Sequence, residues 1–199
     1  MKRLICTAFL GLMMSVGAQA ALVTFDFTNL AGAAGDPLNL SQGVSSMGVN
    51  YTANLNLDGS GTIITDINGL ALLGTGSTFE INANESILFN AATATGVSGG
   101  TAVFNGFTSI SFTEFETGDT ATVAGNAISS NGAFALSNVN SFTAAGVTDA
   151  PAPQAGFQIT QLVADFTVVP TAVGVPEPSS FAALLLIGGM AVNRRRRRK

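Results

Sequence analysis

Apolar and polar residues alternate in several short stretches between positions 21 and 169 of the chain. The clearest stretches are YTANLNL at 51–57 and LVADFTV at 162–168, where every second residue is apolar. A period of two residues is typical of a β-strand that buries one face. No stretch of this region shows the longer period of an amphipathic helix. The pattern therefore predicts about nine or ten short strands and no helix.

Shorter alternating stretches predict the remaining strands and their buried faces. The expected core residues in them are Val23, Phe25, Phe27, Phe79, Ile81, Ile87, Phe89, Ile110, Phe112, Phe134 and Leu136. Turn signals separate the stretches: LDGSG at 57–61, Asn-Gly at 68–69, 105–106 and 131–132, Gly-Asp at 118–119, and Gly-Asn at 125–126. We therefore predict an all-β fold, a single β-sandwich or jelly-roll-like domain over residues 21–169. A β-solenoid is the alternative, but the chain lacks the fixed repeat that a solenoid requires.

Charge is distributed very unevenly along the chain. All eight lysines and arginines lie within the first three and the last six residues, whereas eleven of the twelve acidic residues lie between positions 21 and 175. A body without cations cannot neutralise phosphates, so nucleic acid is excluded as a partner. The same absence excludes ion pairs within the body, and its folding must rest on apolar burial and backbone hydrogen bonds.

The body also lacks the residues of most catalytic sites. The chain has no histidine, and its one cysteine, Cys6, lies near the N-terminus. Nucleophilic triads, Cys-His pairs and zinc sites of imidazole or thiolate ligands are therefore excluded. Glu114 and Glu116, two residues apart, are expected on one strand face, but an acidic strand edge explains them better than a catalytic pair. We predict that the protein is not an enzyme.

Calcium is the one cofactor that the remaining side chains suit, because it takes oxygen ligands from carboxylates, amides and carbonyls. Asp and Asn beside Gly are also what hairpin turns require, so each acidic loop has a purely structural explanation as well. The candidate calcium ligands are Asp58, Asp66, Glu85, Glu116 and Asp119.

The first twenty residues have the features of a secretory signal peptide. Lys2 and Arg3 precede an apolar stretch at 4–16, and Ala18-Gln19-Ala20 has the small-x-small pattern of a signal-peptidase site. We predict cleavage after Ala20, so that signal peptidase is an early partner of the chain.

The last thirty residues form a linker at 170–175 and a three-part tail at 176–199. Pro176, Glu177 and Pro178 come first, an uncharged apolar stretch at 179–192 follows, and a basic block closes the chain. That block consists of Arg194, Arg195, Arg196, Arg197, Arg198 and Lys199. As a helix the apolar stretch would be roughly 21 Å long against a hydrocarbon core of about 30 Å, which predicts a short transmembrane helix. The basic block would remain in the cytoplasm.

The order of these three parts closely resembles the PEP-CTERM sorting signal of Gram-negative bacteria, a tail that is sometimes labelled the C-terminal domain of ice-binding proteins. The resemblance implies that an exosortase, a membrane protease, recognises Pro176, Glu177 and Pro178 and removes the tail near them. It also implies that the membrane holds the chain through the apolar helix and basic block before processing. The released protein would then reach the cell surface or the exopolysaccharide matrix, and exopolysaccharide is a further expected partner.

These observations predict an exported, non-enzymatic protein of the cell surface or extracellular matrix. A calcium-dependent carbohydrate-binding module is the alternative, and it would need an aromatic groove beside clustered carboxylates. An ice-binding adhesin is the remaining possibility, and it would need regular threonine rows on a flat face. Thr93-Ala94-Thr95 and Thr120-Ala121-Thr122 are the isolated segments of that type.

Overall fold

Two antiparallel sheets form the described part of the chain, which confirms the all-β prediction and fits a β-sandwich. A computed structural model of the chain describes residues 17–30, 32–73, 79–148 and 156–171. Its strands, in chain order, are β1 (Gln19–Asp26), β2 (Ala34–Gly35), β3 (Leu38–Ser46), β4 (Val49–Gly59), β5 (Thr62–Thr65), β6 (Leu70–Leu73), β7 (Phe79–Glu80), β8 (Ser86–Phe89), β9 (Thr93–Ser98), β10 (Gly100–Thr113), β11 (Thr120–Val123), β12 (Asn126–Ile128), β13 (Gly132–Val139), β14 (Phe142–Thr148) and β15 (Gln158–Pro170). A 3-10 turn, Phe27–Leu30, follows β1.

Each sheet is organised around one long strand. In the first sheet β15 pairs with β10 along one side and with β1 and β6 along the other, and β13, β5, β7 and β2 extend the sheet outward. In the second sheet β4 pairs with β3 on one side and with β8 and β9 on the other. Strands β14, β11 and β12 continue this sheet beyond β8.

The alternating stretches bury the faces that the sequence predicts. In β4 the apolar positions are buried and the polar positions between them are half-buried, apart from the exposed Asn50, and β15 shows the same alternation from Leu162 to Val168. The buried apolar residues of both sheets form one cluster. Burying one face of each sheet against the other is the main source of stability for a body that has no lysine or arginine with which to form ion pairs.

Phenylalanine fills much of the interior between the sheets. Phe89 and Phe142 stack with their ring centroids 4.7 Å apart, and Phe107 meets Phe142 edge to face at 5.5 Å. A second group lies farther along the sandwich, where Phe115 stacks on Phe157 at 4.8 Å. Offset-stacked and edge-to-face geometries are the ones that aromatic rings prefer.

The prediction of a turn at Asn105–Gly106 is wrong. These residues lie inside β10, at a register shift between Phe104 and Gly106 against β15. Gly106 has a φ of 146°, and a Cβ there would collide with the backbone of Asn138. The residues that form a hairpin turn also suit a β-bulge, so the dipeptide alone does not distinguish the two.

Two predictions about side chains, one beside β7 and one after β10, are also wrong. Phe79 is 49% exposed rather than buried, because β7 is only two residues long and pairs with β6 at the edge of the sheet. Glu114 and Glu116 do not share a strand face, since β10 ends at Thr113 and Glu114 has a φ of 64°. The carboxylate pair considered for catalysis is thus part of a loop.

The strands are more numerous than predicted, and two predicted boundaries fall inside strands. β1 begins at Gln19, so Gln19 and Ala20 pair with Val168 and Thr167 of β15. At the other end β15 reaches Pro170, one residue past the predicted limit of the body. Cleavage after Ala20 would therefore remove two residue pairs from β1 and leave the strand to begin at Ala21.

The strand registers divide the sandwich into two halves with different charge. One half, named here the neutral half, contains the β3–β4 hairpin, the β9–β10 connection, the start of β1 and the end of β15, and the amide of Thr171 donates to the Gly99 carbonyl there. The other half contains the opposite strand ends, and bridges between Ile81 and Phe157 and between Ala83 and Gly146 join its loops. We call it the acidic half.

Candidate functional site

The acidic half takes its name from the carboxylates that collect in it. Of the acidic residues in the described part of the chain, Asp165 alone lies in the neutral half, and it is half-buried. The others follow strand ends or loops of the acidic half: Asp26, Asp36, Asp58, Asp66, Glu80, Glu85, Glu114, Glu116 and Asp119. All five candidate calcium ligands therefore lie in the same half of the sandwich.

Two of those five carboxylates hold tight turns. Oδ1 of Asp66 accepts hydrogen bonds from the amides of Asn68 at 2.8 Å and Gly69 at 3.0 Å, which closes the β5–β6 turn. Oε2 of Glu85 accepts from the amide of Asn82 at 2.8 Å and from its side-chain nitrogen at 3.1 Å. These bonds satisfy backbone donors that the turns would otherwise leave unpaired.

Glu116 and Asp119 belong to the loop between β10 and β11. Oδ2 of Asp119 accepts from the Glu116 amide at 2.8 Å, and the Asp119 amide donates to the Glu116 carbonyl at 3.1 Å. Asp119 is 1% exposed, whereas Glu116 is exposed. The buried aspartate thus organises the loop, and the glutamate side chain faces solvent.

Asp58 lies at the end of β4, where it contacts an amide side chain rather than a turn. Its Oδ2 accepts a hydrogen bond of 2.5 Å from the side-chain nitrogen of Asn90. The described residues contain no group of three or more Asp, Glu, Cys or His side chains placed to hold a metal ion. The five candidates therefore share a half of the sandwich without converging on one point, and most of them bond to neighbouring amides.

The acidic half also contains an open apolar groove. It has a volume of about 410 Å³ and is lined by Gly32, Ala33, Ala34, Ile64, Thr65, Asp66, Ile67 and Phe79. Phe79 is its one aromatic residue and Asp66 its one carboxylate. A calcium-dependent sugar site would need several oxygen ligands together, and Asp66 already accepts two backbone amides.

The two Thr-x-Thr segments lie on different strands. Thr93 and Thr95 are exposed on β9, beside β4, whereas Thr120 and Thr122 are half-buried on β11, beside β14. Their hydroxyls therefore belong to separate parts of the second sheet and do not form the continuous row that the ice-binding alternative needs.

An uncharged array of amide and hydroxyl side chains covers the outer surface of β3, β4 and β9. We name it the amide face and define it by the six residues that form its hydrogen-bonded rows, Asn39, Ser41, Asn54, Asn56, Asn90 and Thr95. In the first row Ser41 donates to Asn54, and Asn54 donates to Thr95, both at 2.8 Å. In the second row Asn90 donates to Asn56, and Asn56 donates to Asn39, again at 2.8 Å.

The two rows of the amide face run across the strands and lie two residues apart along β4, a spacing of roughly 6.6 Å. Each side chain is held by hydrogen bonds to its neighbours, and Asn39, Ser41 and Thr95 are exposed to solvent. The six side chains are themselves uncharged and offer donors and acceptors at fixed positions, and Asn90 at the end of the second row also donates to the Asp58 carboxylate. Its sequence signal is the series of polar residues that alternates with apolar ones in LNLSQ at 38–42 and YTANLNL at 51–57, the same alternation that predicts the strands.

Tyr51 and Asp165 each carry an enclosed, unpaired side-chain oxygen in the neutral half. The Tyr51 hydroxyl and Oδ1 of Asp165 are both enclosed without a hydrogen-bond partner, while Oδ2 of Asp165 accepts from Asn105 at 3.0 Å. Asn105 also donates to Thr167 at 2.8 Å. Burial, and secondarily the Asp165 carboxylate, raises the pKa of Tyr51 above its ordinary value.

Most of the predicted sorting residues lie outside the described residues. These are the Pro-Glu-Pro element, the apolar stretch and the basic block of the tail. Of the signal-peptidase site, Ala18 precedes β1 and Ala20 lies within it, and both are exposed. Within the described part of the chain no helix has the length and apolar character needed to cross a membrane.

Comparisons with known proteins give no relative for this chain. No protein-family model, no curated protein sequence and no solved structure matches it. The fold places the chain in the class of two-sheet all-β proteins. This class includes many unrelated functions, so the fold alone indicates none of them.

Proposed function

We propose that this chain is an exported, non-enzymatic protein of the surface or extracellular matrix of a Gram-negative bacterium. An exosortase would recognise Pro176, Glu177 and Pro178 and remove the tail. The observation that carries the proposal is the order of the three parts after position 175: Pro-Glu-Pro, an uncharged apolar stretch, and a block of six basic residues.

The position of the two chain ends supports the proposal. Gln19 at the start of β1 lies opposite Val168 near the end of β15, so the signal segment and the sorting tail leave the body from the same place. That place is the neutral half, and among the residues that the structure describes its one acidic residue is the half-buried Asp165. A body held at a membrane by either end would therefore direct its acidic half away from anionic headgroups, which reduces electrostatic repulsion.

The use of the carboxylates supports a non-enzymatic role. General acid-base or nucleophilic catalysis needs a side chain that reaches the substrate. A glycosidase needs at least two carboxylates at a fixed separation. Asp66, Glu85 and Asp119 bind backbone amides of their own loops. Their chemistry is therefore used to hold turns.

The amide face supports exopolysaccharide as a matrix partner. Neutral sugars present hydroxyl groups that donate and accept hydrogen bonds, and the face presents amides and hydroxyls in two fixed rows without charge. Co-sedimentation with the exopolysaccharide of the host tests this partner. Asn54→Glu, which places a charge at the centre of the first row, should reduce the bound fraction several-fold. Thr143→Glu on β14 is the matched control, and equal binding by both variants would remove the amide face from the proposal.

The sorting step is tested by following the protein in a Gram-negative host that has an exosortase. The double variant Pro176→Ala/Pro178→Ala should accumulate in the membrane fraction, while the parent protein reaches the surface or the medium. The double variant Pro151→Ala/Pro153→Ala removes two prolines upstream of the tail and is the matched control. Membrane retention of the parent protein, or surface release of the Pro176→Ala/Pro178→Ala variant, would contradict the proposal.

A further inference from the structure

The outer edge of β3 is an unprotected strand edge. β3 pairs with β4 over all nine residues from Leu38 to Ser46 without a register shift, and no other strand of the described chain pairs with its opposite side. Proteins usually protect such an edge with charged residues, an internal proline or a bulge. β3 has none of these, since its sequence is LNLSQGVSS.

The other long edges in the described part of the chain are less suited to pairing. β1 carries Asp26 within its ladder, and β13 has an irregular register against β10 with Asn138 in a left-handed conformation at a φ of 51°. The edge strands β2 and β12 are two and three residues long. β3 is therefore the long, regular and uncharged edge.

We propose that β3 pairs with β3 of a second copy of this chain in antiparallel orientation, so that the second sheet continues across a two-fold axis. The inference does not depend on the proposed sorting function. A second copy is the partner that the strand fits best, because a register centred on Gln42 makes the edge complementary to itself. Leu40 then lies opposite Val44 of the second copy, and Gln42 lies opposite its own counterpart.

Side-chain burial agrees with this register. Leu40 is 5% exposed and Val44 is half-buried against the core, so the pair would extend the apolar interior across the axis. The two Gln42 side chains lie on the same face between these apolar pairs, and as exposed, uncharged amides they can donate to and accept from each other. On the outer surface the pairs are Asn39 with Ser45 and Ser41 with Gly43, all small and polar or without a side chain. No pair brings like charges together.

Charge favours the antiparallel orientation over the parallel one. Asp36 lies two residues before β3, at the acidic end of the strand. In the antiparallel register the two Asp36 residues would be about 40 Å apart, well beyond the Debye length of about 8 Å at physiological ionic strength. A parallel, in-register pairing would bring the two Asp36 residues to about 5 Å from each other and would place the two acidic halves side by side. A chain with no cation in its body cannot offset that repulsion.

Disulfide trapping tests the register directly. Paired strands bring opposite Cα atoms to about 4.5–5.5 Å, within the range of a disulfide. In the full chain carrying Cys6→Ser, Gln42→Cys should form a covalent dimer under mild oxidation, seen on a non-reducing gel. Ser45→Cys is the matched control on the same strand, since its two sulfurs would be separated by roughly 20 Å. No cross-linking of Gln42→Cys, or equal cross-linking of both variants, would overturn the proposal.

Sedimentation equilibrium tests the association without a cross-link. Gln42→Glu places two carboxylates opposite each other at the axis, and we expect it to weaken dimerisation about tenfold or more. Asn126→Asp adds the same charge at the opposite edge of the second sheet, on β12, and should leave the dimer unchanged. A parent protein that stays monomeric at millimolar concentration would overturn the proposal, as would an equal effect of the two variants.

Discussion

The two halves of the sandwich are built from the same kinds of strand but differ in how their ends are held. In the acidic half, side-chain carboxylates bind the amides of the turns, as Asp66 and Asp119 show. In the neutral half the described turns have no such carboxylate, and the backbones approach closely, since a Cβ on Gly99 would collide with the Gly48 carbonyl and one on Gly100 with that of Val169. Close backbone contacts also occur in the acidic half, as at Gly146 against Asn82, so the carboxylates are the feature in which the two halves differ.

This difference also separates the surfaces that remain available to partners. The amide face and the free edge of β3 run along the sandwich and consist of uncharged residues, and both ends of the described body lie in the neutral half, while the acidic half presents uncompensated negative charge. Because repulsion between carboxylates opposes close approach of another acidic surface, association is expected through the neutral parts of the molecule.

The largest effect is expected from the aromatic stack of the acidic half. Phe157 is 1% exposed, stacks on Phe115 at 4.8 Å and meets Phe112 at 5.7 Å. Phe157→Ala should lower the free energy of unfolding by about 3–5 kcal/mol, because it leaves a cavity between the sheets. Urea denaturation measures the change. Phe79→Ala, at an exposed phenylalanine of the same half, is the control and should cost less than about 1 kcal/mol.

In the neutral half the substitution expected to cost the most stability is at Gly100. A Cβ there would meet the Val169 carbonyl, the Val49 side chain and Pro170, so Gly100→Ala should cost about 2–3 kcal/mol. Gly43→Ala, where a Cβ has open space, should change stability by less than about 1 kcal/mol. Equal unfolding midpoints for the two variants would show that close backbone contact does not hold the neutral half.

The carboxylate of Asp119 is the clearest single support of an acidic-half turn. Asp119→Ala leaves the amide of Glu116 without its acceptor and should cost about 1–3 kcal/mol. Glu116→Ala in the same loop removes a solvent-facing carboxylate and should stay within about 0.5 kcal/mol of the parent protein. If thermal denaturation shows the reverse order, the turn-holding role of the buried aspartate is wrong.

Tyr51 offers a change of opposite sign in the neutral half. Its hydroxyl is buried without a partner, so Tyr51→Phe should stabilise the protein by about 1 kcal/mol. The raised pKa of Tyr51 means that the unfolded chain loses its proton first, so the parent protein should lose stability as the pH rises above 10. Tyr51→Phe should reduce this loss of stability at high pH. A variant less stable than the parent at neutral pH would show that the hydroxyl has a partner.

The smallest effect is expected at Asp26, which caps the 3-10 turn. Its Oδ1 accepts from the side chain and amide of Thr28, and its Oδ2 accepts from Asn29. The hydrogen bond from the Thr28 side chain is the main reason that the pKa of Asp26 lies below its usual value. The stability that the ionised Asp26 adds to the fold is present above pH 3.8, the ordinary pKa, and is lost as the pH falls through the lowered pKa. Asp26→Asn should reduce the acid sensitivity of the unfolding midpoint, and an unchanged acid profile would contradict the capping role.

The sequence predicted the long strands well because their signal is local. In β4, and in β15 from Leu162 to Val168, every second residue is apolar and faces the core, so a period of two determines the buried face without knowledge of the partner strands. Local information failed at Asn105–Gly106, where the same residues suit a bulge and a turn, and at Phe79, whose burial depends on how far its sheet extends.

The candidate site was less accessible from sequence because it depends on register. Asn54 contacts Ser41 and Thr95 only because β4 pairs with β3 and β9 in one alignment, and a shift of one residue would turn these side chains inward. The grouping of the carboxylates in one half has the same origin. Asp58 and Glu116 are far apart in the chain, and strand pairing alone puts them in the same half of the sandwich.

The intact mass of the protein recovered from the cell surface tests the central claim most directly. We predict a chain that begins at Ala21 and ends near Pro176, Glu177 and Pro178, without the basic block. Such a product would carry no positive side chain. The uneven distribution of charge along the sequence would then be explained by two targeting segments, the signal peptide and the sorting tail, that are removed. A surface protein whose mass still includes residues 179–199 would contradict the account.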